Sequence, residues 1–371
     1  MITLLPPRMR CNESRQVGSR DETSYRIERS PPLEAAVMLR GDSMSALLEF
    51  GGVPSVQVTI LVDNLADMLA RSTDDVKRFS DGPLIAEHGF SALIEIPSAD
   101  RRILWDVGAS ASTVLENLRR MSIDPASIDA MALSHGHWDH VAGVSGILRL
   151  ICPPPDAETF PAGTPDTALL THARPTTIPL FVHPAAFRER WAFLKDGRRH
   201  GPMRSTRREE WAALGADLVE SEEPARIADG CWTTGYVPRE SFETAGRPET
   251  LRFRDGERFL PDDLEEDQSI VLHVAGKGLV VVAGCAHAGI VNTVEHARRI
   301  SGVDRVHAVL GGFHLGRATD ADIERTVEAI AGIDPAMIVP SHCTGFAAMR
   351  RFAERMPEAF VLGTVGTTYS F

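Results

Sequence analysis

The chain has 371 residues, of which 43% are hydrophobic and 24% charged; these are ordinary globular values, at a length that suits one large domain or two small ones. A net charge of −12 argues against a general nucleic-acid binder, which carries a basic footprint. No apolar run approaches the ~18 residues of a membrane span, and "MITLL" is not followed by a lasting apolar stretch, so neither a transmembrane helix nor a secretory signal is expected.

Residues 1–54 are polar and lack apolar periodicity, so they read as a poorly ordered N-terminal extension, with Met38 and Met44 as alternative starts. The domain proper is expected over 55–371. "VQVTILVDN" (Val56–Asn64) is a β-branched first strand, and "SALIEI" with "RILWDVG" forms a hairpin pair. "ASTVLENLRRM" has helical spacing with Ser110 or Ser112 as N-cap, and "IDAMALS" is a short buried strand. "VAGVSGILRL" predicts a helix, and residues 152–179, rich in Pro and Thr, an insertion. "LFVHP" reads as a strand, "AAFRERWAFLK" as a helix and "DGRRHGPMRSTRREE" as a local basic stretch. From residue 268 two strands (QSIVLHVA, GLVVVAG) lead to a turn (CAHAG) and a helix (IVNTVEHARRI). Strand (VHAVLGG), helix (DADIERTVEAIAGI), strand (AMIVPSH) and a short tail follow. Paired strands that then alternate with helices predict a layered α/β fold, sheets inside and helices outside.

The chemistry concentrates in "LSHGHWDHVAG", residues 133–143, where His135, His137, Asp139 and His140 fall within six positions. Imidazole and carboxylate are ordinary ligands for zinc and related divalent ions. His135 and His137, two apart at a strand end, project the same way, whereas Asp139 and His140 fall after the bend. One loop can therefore serve two neighbouring ions, although a one-ion site is also compatible. Three later strand ends carry further metal-type residues: Cys285 and His287, His314, and His342 with Cys343. His314 and His183 are the alternates should His287 not be a ligand. Asp106, which ends "ILWDVG", is placed to orient a ligand histidine. The five cysteines, odd in number and irregularly spaced, fit a reducing, cytoplasmic setting better than a disulfide framework.

"SHGHWDH" preceded by "ILWDVG" resembles the metallo-β-lactamase superfamily. The resemblance implies a four-layer αββα sandwich with metals at one sheet edge, over about residues 56–371. "DQSIVLHVAGKGLVVVAGCAHAGIVNTV", "LGGFHL", "VPSHCTG" and "TTGYVPRESFE" further resemble a subgroup labelled 7,8-dihydropterin-6-methyl-4-(β-D-ribofuranosyl)-aminobenzene-5'-phosphate synthase. Carried over by residue, it implies His135 and His137 on one ion, and Asp139, His140 and His342 on the other. The chain departs from the common pattern at "GCAH": Cys285 stands where a bridging aspartate is usual, and His287 replaces a separate mid-chain histidine.

The expectation is a hydrolase with two divalent ions, zinc first and manganese or iron as alternatives. Such ions lower the pKa of a water toward neutrality, and Asp139 would help hold that water. His314 is a candidate proton donor or substrate contact. Arg239 and the basic stretch are candidate contacts for a small anionic substrate, a phosphoester or pterin-related compound. A metal-binding sensor, a non-hydrolytic pterin-pathway synthase-like protein, an iron redox protein and a nuclease are the competing readings. No nucleic-acid or membrane partner is expected, and a homo-oligomer is compatible with the sequence.

Overall fold

The structure is a computed structural model that describes residues 48–152, 177–203, 207–244 and 249–371. Its first sheet contains β1 (Gln57–Val62), β2 (Val76–Arg78), β3 (Ser91–Ile96), β4 (Arg101–Trp105), β5 (Ala130–Ala132), β6 (Ile178–Val182), β9 (Ala216–Glu220) and β18 (Thr367–Ser370). The spatial order is β2-β18-β1-β3-β4-β5-β6-β9. The second sheet runs β10-β11-β14-β15-β16-β17, from β10 (Arg226–Ala228), β11 (Cys231–Thr233), β14 (Ser269–Val274), β15 (Gly278–Ala283), β16 (Val306–Gly312) and β17 (Met337–Ser341). A smaller sheet, β13-β12-β7-β8, is built from β7 (Arg190–Phe193), β8 (Arg199–His200), β12 (Leu251–Asp255) and β13 (Arg258–Pro261).

Side-chain alternation along the strands sorts residues into layers. Ile94, Ile103 and Trp105 of the first sheet pack against Leu272, Val280, Val282 and Leu310 of the second in one buried cluster. Their neighbours Leu93, Leu104 and Met131 face the other way, onto Val114 and Leu118 of α1 (Ala111–Arg120) and Ile147 of α3 (Val144–Ile151). On the far side of the second sheet, Val309 and Ile338 pack with Ile290 and Val294 of α5 (Ile290–Ser301), Ile323 and Val327 of α6 (Asp320–Ile333) and Phe352 of α7 (Phe346–Arg355). Strands buried on both faces and helices buried on one give the four-layer αββα sandwich. Among the described residues no helix is long and apolar enough to cross a membrane.

Several expectations change. The stretch read as one helix after the histidine loop is two, the short α2 (Trp138–Val141) and α3. The break falls at Gly143, where a Cβ would sit 2.3 Å from the Val107 carbonyl oxygen, so only glycine lets this turn lie against the β4 exit. "AAFRERWAFLK" is a 3₁₀ turn, Pro184–Phe187, followed by β7. Here tertiary context overrides helical spacing: Arg190 is drawn onto Asp262 and Glu266, and Trp191 and Phe193 pack on Phe259 across the small sheet. The "short tail" supplies α7 and then β18, which lies between β1 and β2. Residues 1–47 and 153–176, most of the expected extension and insertion, lie outside the described residues. Residues 48–54 are packed: Phe50 is buried and stacked on Trp232, and Val53 bridges to Val274.

Candidate metal centre

Chain exits from β1, β4, β5, β15, β16 and β17 converge at one edge of the sandwich. Four non-glycine residues just past these strands have left-handed backbones: Asp106 (φ 54°), Ala286 (φ 48°), His314 (φ 48°) and His342 (φ 49°). Such conformations cost about 1 kcal/mol or more each, so their concentration here marks a site whose geometry the surrounding packing enforces.

The ligand atoms form overlapping groups, each within 4.8 Å: His135, His137 and His287; Asp139, His140 and His342; His135, His140 and Cys285; and Cys285, His314 and Cys343. Nε2 of His135 lies 3.3 Å from Nε2 of His287, and Nε2 of His140 lies 3.2 Å from Nε2 of His342 and 3.1 Å from Cys285 Sγ. Asp139 Oδ2 is 3.6 Å from His342 Nε2 and 4.0 Å from His140 Nε2. The loop 135–140 thus serves two clusters, with Cys285 between them.

Outer partners aim these rings. Asp106 Oδ2 takes the Nδ1 proton of His140 at 2.7 Å and also accepts from the Ser134 hydroxyl at 2.7 Å. That hydroxyl faces Nδ1 of His135 at 2.8 Å, and Asn64 Oδ1 faces Nδ1 of His342 at 3.1 Å. With each Nδ1 proton engaged, the Nε2 lone pairs of His135, His140 and His342 turn inward, the arrangement that metal-binding histidines adopt.

Burial and neighbouring charge set the proton affinity of each ring. Burial, reinforced by His140, His137 and His287, holds the His135 pKa well below the usual range. Burial and Arg190 push His137 down to about 3, and burial pushes His342 down to about 4. His140 differs: burial opposes its charge, but Asp106 and Asp139 raise it to about 9. Asp106 and Asp139 thus draw positive charge to His140, whose Nε2 proton a bound cation would have to displace. Opposed nitrogens at 3.2–3.3 Å, a thiol and a carboxylate form a donor set suited to divalent ions.

Sequence reasoning missed several participants. His88 reaches Asp139 Oδ2 with Nε2 at 3.3 Å, and Cys343, noted only as a metal-type neighbour of His342, joins Cys285 and His314. Asn64 and Ser134 complete the outer shell. His88 and Asn64 are single residues on separate loops, whereas Ser134 and Cys343 adjoin His135 and His342 but stand out only once the fold shows what they touch. The His314 ring lies tilted at 45° against that of His287, centroids 4.1 Å apart. His183 belongs to none of the ligand groups; its Nδ1 accepts from the Ala185 amide. Arg239 donates to the carbonyls of His287, Asp263 and Leu264, bracing the loop that carries His287. Within the basic stretch Arg198 pairs with Asp196, and Arg208 with Glu220.

A sequence model described as the metallo-beta-lactamase superfamily matches residues 85–173. The chain is 31% identical over 319 residues to the 7,8-dihydropterin-6-methyl-4-(beta-D-ribofuranosyl)-aminobenzene-5'-phosphate synthase of Methanocaldococcus jannaschii, covering 85% of this chain and 96% of that protein. A second relative, an uncharacterized protein of the same organism, is 32% identical over 310 residues, 83% of this chain and 98% of its own. Among solved structures, Tm1679, described as a metal-dependent hydrolase of the beta-lactamase superfamily, superposes with a TM-score of 0.61 at 21% identity. That superposition covers 84% of this chain and 98% of Tm1679 and bears on the fold alone. Fold, ligand loop and relatives agree that the chain belongs to the metallo-β-lactamase superfamily.

Proposed function

We propose that the protein is a metal-dependent hydrolase acting on a small anionic substrate, a phosphoester or a pterin-related compound. The observation that carries this reading is the pair of ligand clusters, His135/His137/His287 and Asp139/His140/His342, joined at Cys285. These residues would hold two divalent ions, zinc first, with manganese or iron as alternatives. When bound, such ions supply Lewis acidity toward water and toward a phosphoryl or carbonyl oxygen.

The chain's own groups do the rest. Asp106 and Ser134 keep His140 and His135 in the tautomer that presents Nε2. Asp139, held below the usual carboxylate range by His140, His342 and His137 despite burial, stays ionised and can accept a proton at Oδ2. His314 is raised: burial opposes its charge, but Cys343, Asp267 and Asp139 outweigh it. Its Nδ1 has no hydrogen-bond partner among the described residues, which supports a role for His314 in handing a proton to a leaving group.

A second reading, a pterin-pathway synthase, is favoured by the 31% identity extending over 96% of the methanogen synthase. Protein purified without chelator, assayed for metal by mass spectrometry and screened on phosphodiesters, lactones and pterins, tests both. About two metal equivalents with phosphodiester turnover supports the hydrolase. Product formed only from a pterin precursor moves the reading to the synthase, and protein without stoichiometric metal rejects both.

A further inference from the structure

A cleft of about 270 Å³ opens beside the metal-side loop, lined by Gly136, His137, Trp138, Arg188, Arg190, His200 and Met203. We propose that it is a composite subsite for an aromatic ring bearing a phosphate-type anion, Trp138 taking the ring and Arg188 the anion. The inference deepens the reading above, on which it rests for the class of anion, by naming residues that would set specificity.

Trp138 is 49% exposed, although it stands between the candidate ligands His137 and Asp139 on the first turn of α2. The half-exposed indole lines the cleft, with the His88 ring tilted at 43° and 6.0 Å away, and aromatic platforms stack ligand rings without demanding a particular one. Met203, which also lines the cleft, adds an adaptable apolar contact.

Arg188 carries the second half. Its guanidinium lies over the Phe253 ring at 4.2 Å, and Nη2 donates to Glu265 Oε2 at 2.7 Å, so its orientation is fixed before any ligand arrives. Nη1 is buried and has no partner among the described residues. A guanidinium donor without an acceptor is costly, and because the side chain is 27% exposed and lines the cleft, a small shift would bring it onto a ligand oxygen. Arg190 plays a different part, since Asp262 and Glu266 hold it at 2.7 and 2.5 Å and absorb its charge. His200 stands at the rim on β8. The far wall thus belongs to the small third sheet and the turn before it, so that sheet shapes the substrate cleft.

The test is isothermal titration of metal-loaded protein with phenylphosphonate, which offers ring and anion, and with methylphosphonate, which offers the anion alone. Wild type is expected to prefer phenylphosphonate by roughly tenfold. Trp138→Ala should bring phenylphosphonate down to the methylphosphonate affinity, and Trp138→Phe should keep the preference. Arg188→Met, which preserves packing on Phe253, should weaken both ligands by roughly tenfold while the ring preference survives. Equal binding of the two phosphonates to wild type, no binding of either, or variants that change neither affinity would each overturn the proposal. Metal content is measured on every sample. Protein without metal that still prefers the ring overturns the hydrolase and keeps the subsite; loaded protein without the preference does the reverse.

Discussion

His135 and His287 come from loops 152 positions apart, yet their Nε2 atoms meet at 3.3 Å. If both ligate one ion, His287→Ala should lose about one metal equivalent, counted by mass spectrometry, while the Asp139/His140/His342 cluster keeps its own. Full occupancy in that variant would remove His287 from the ligand set. Cys285→Ser replaces a soft sulfur with a hard oxygen and is expected to shift preference away from soft ions, read as the Cd/Mn ratio bound in competition. Asp106→Asn should weaken metal binding by roughly 10- to 100-fold, because the amide no longer draws the Nδ1 proton of His140 as a carboxylate does. At this scale the legible residues were those that cluster in sequence or repeat at strand ends. His88 could not be read because its approach to Asp139 depends on a loop path that no local spacing encodes. Arg239 was legible as a guanidinium but not as a brace, since its acceptors are backbone carbonyls, which every residue owns.

The elements were legible where periodicity and burial agree. β14 and β15 pair in register from Ser269↔Ala283 to Val274↔Gly278, as two adjacent apolar runs require. They were misread where a long-range pairing outweighs a local preference, as at β7, whose Arg252↔Trp191 register with β12 spans 61 positions. The segment before β1 carries a prediction of this kind. Phe50 is 4% exposed, stacks on Trp232 at 5.5 Å, and its carbonyl accepts from the indole Nε1 at 3.1 Å. A chain starting near Met44 is expected to keep its metal and its melting temperature. One starting at residue 55 should lose about 3 kcal/mol, the scale of a deleted buried phenyl ring, in denaturant titration. Equal stability of the two would show that the packed segment contributes nothing.

Over the whole molecule, buried charge links stability to pH. Arg190 faces two buried carboxylates, Asp262 and Glu266, so the trio carries one negative charge too many for its surroundings. Burial raises Glu266 from 4.5 to about 7, against the pull of Arg190 and with the push of Asp262. The folded state thus binds this proton more tightly than the unfolded chain. Its stabilising contribution is complete below about pH 4.5 and is lost as pH rises through 7. Glu266→Gln is expected to remove that loss, on the order of 3 kcal/mol, so its melting temperature should fall less than wild type's between pH 5 and 8. Parallel melting curves for the two proteins would reject the assignment.

β18 has a consequence of another kind. Thr59 of β1 and Thr368 of β18 share a hydroxyl contact at 2.8 Å across 309 positions, and β18 also separates β1 from β2. Until that strand arrives, β1 presents an open edge of unpaired amides and carbonyls, the feature from which intermolecular strand pairing starts. Closing so long a loop is slow compared with forming the neighbouring antiparallel β1–β3 pair, whose strands lie far nearer in the chain. The refolding yield of this protein should therefore fall with concentration in the interval before β18 docks, and chaperones that shield strand edges would act in that same interval.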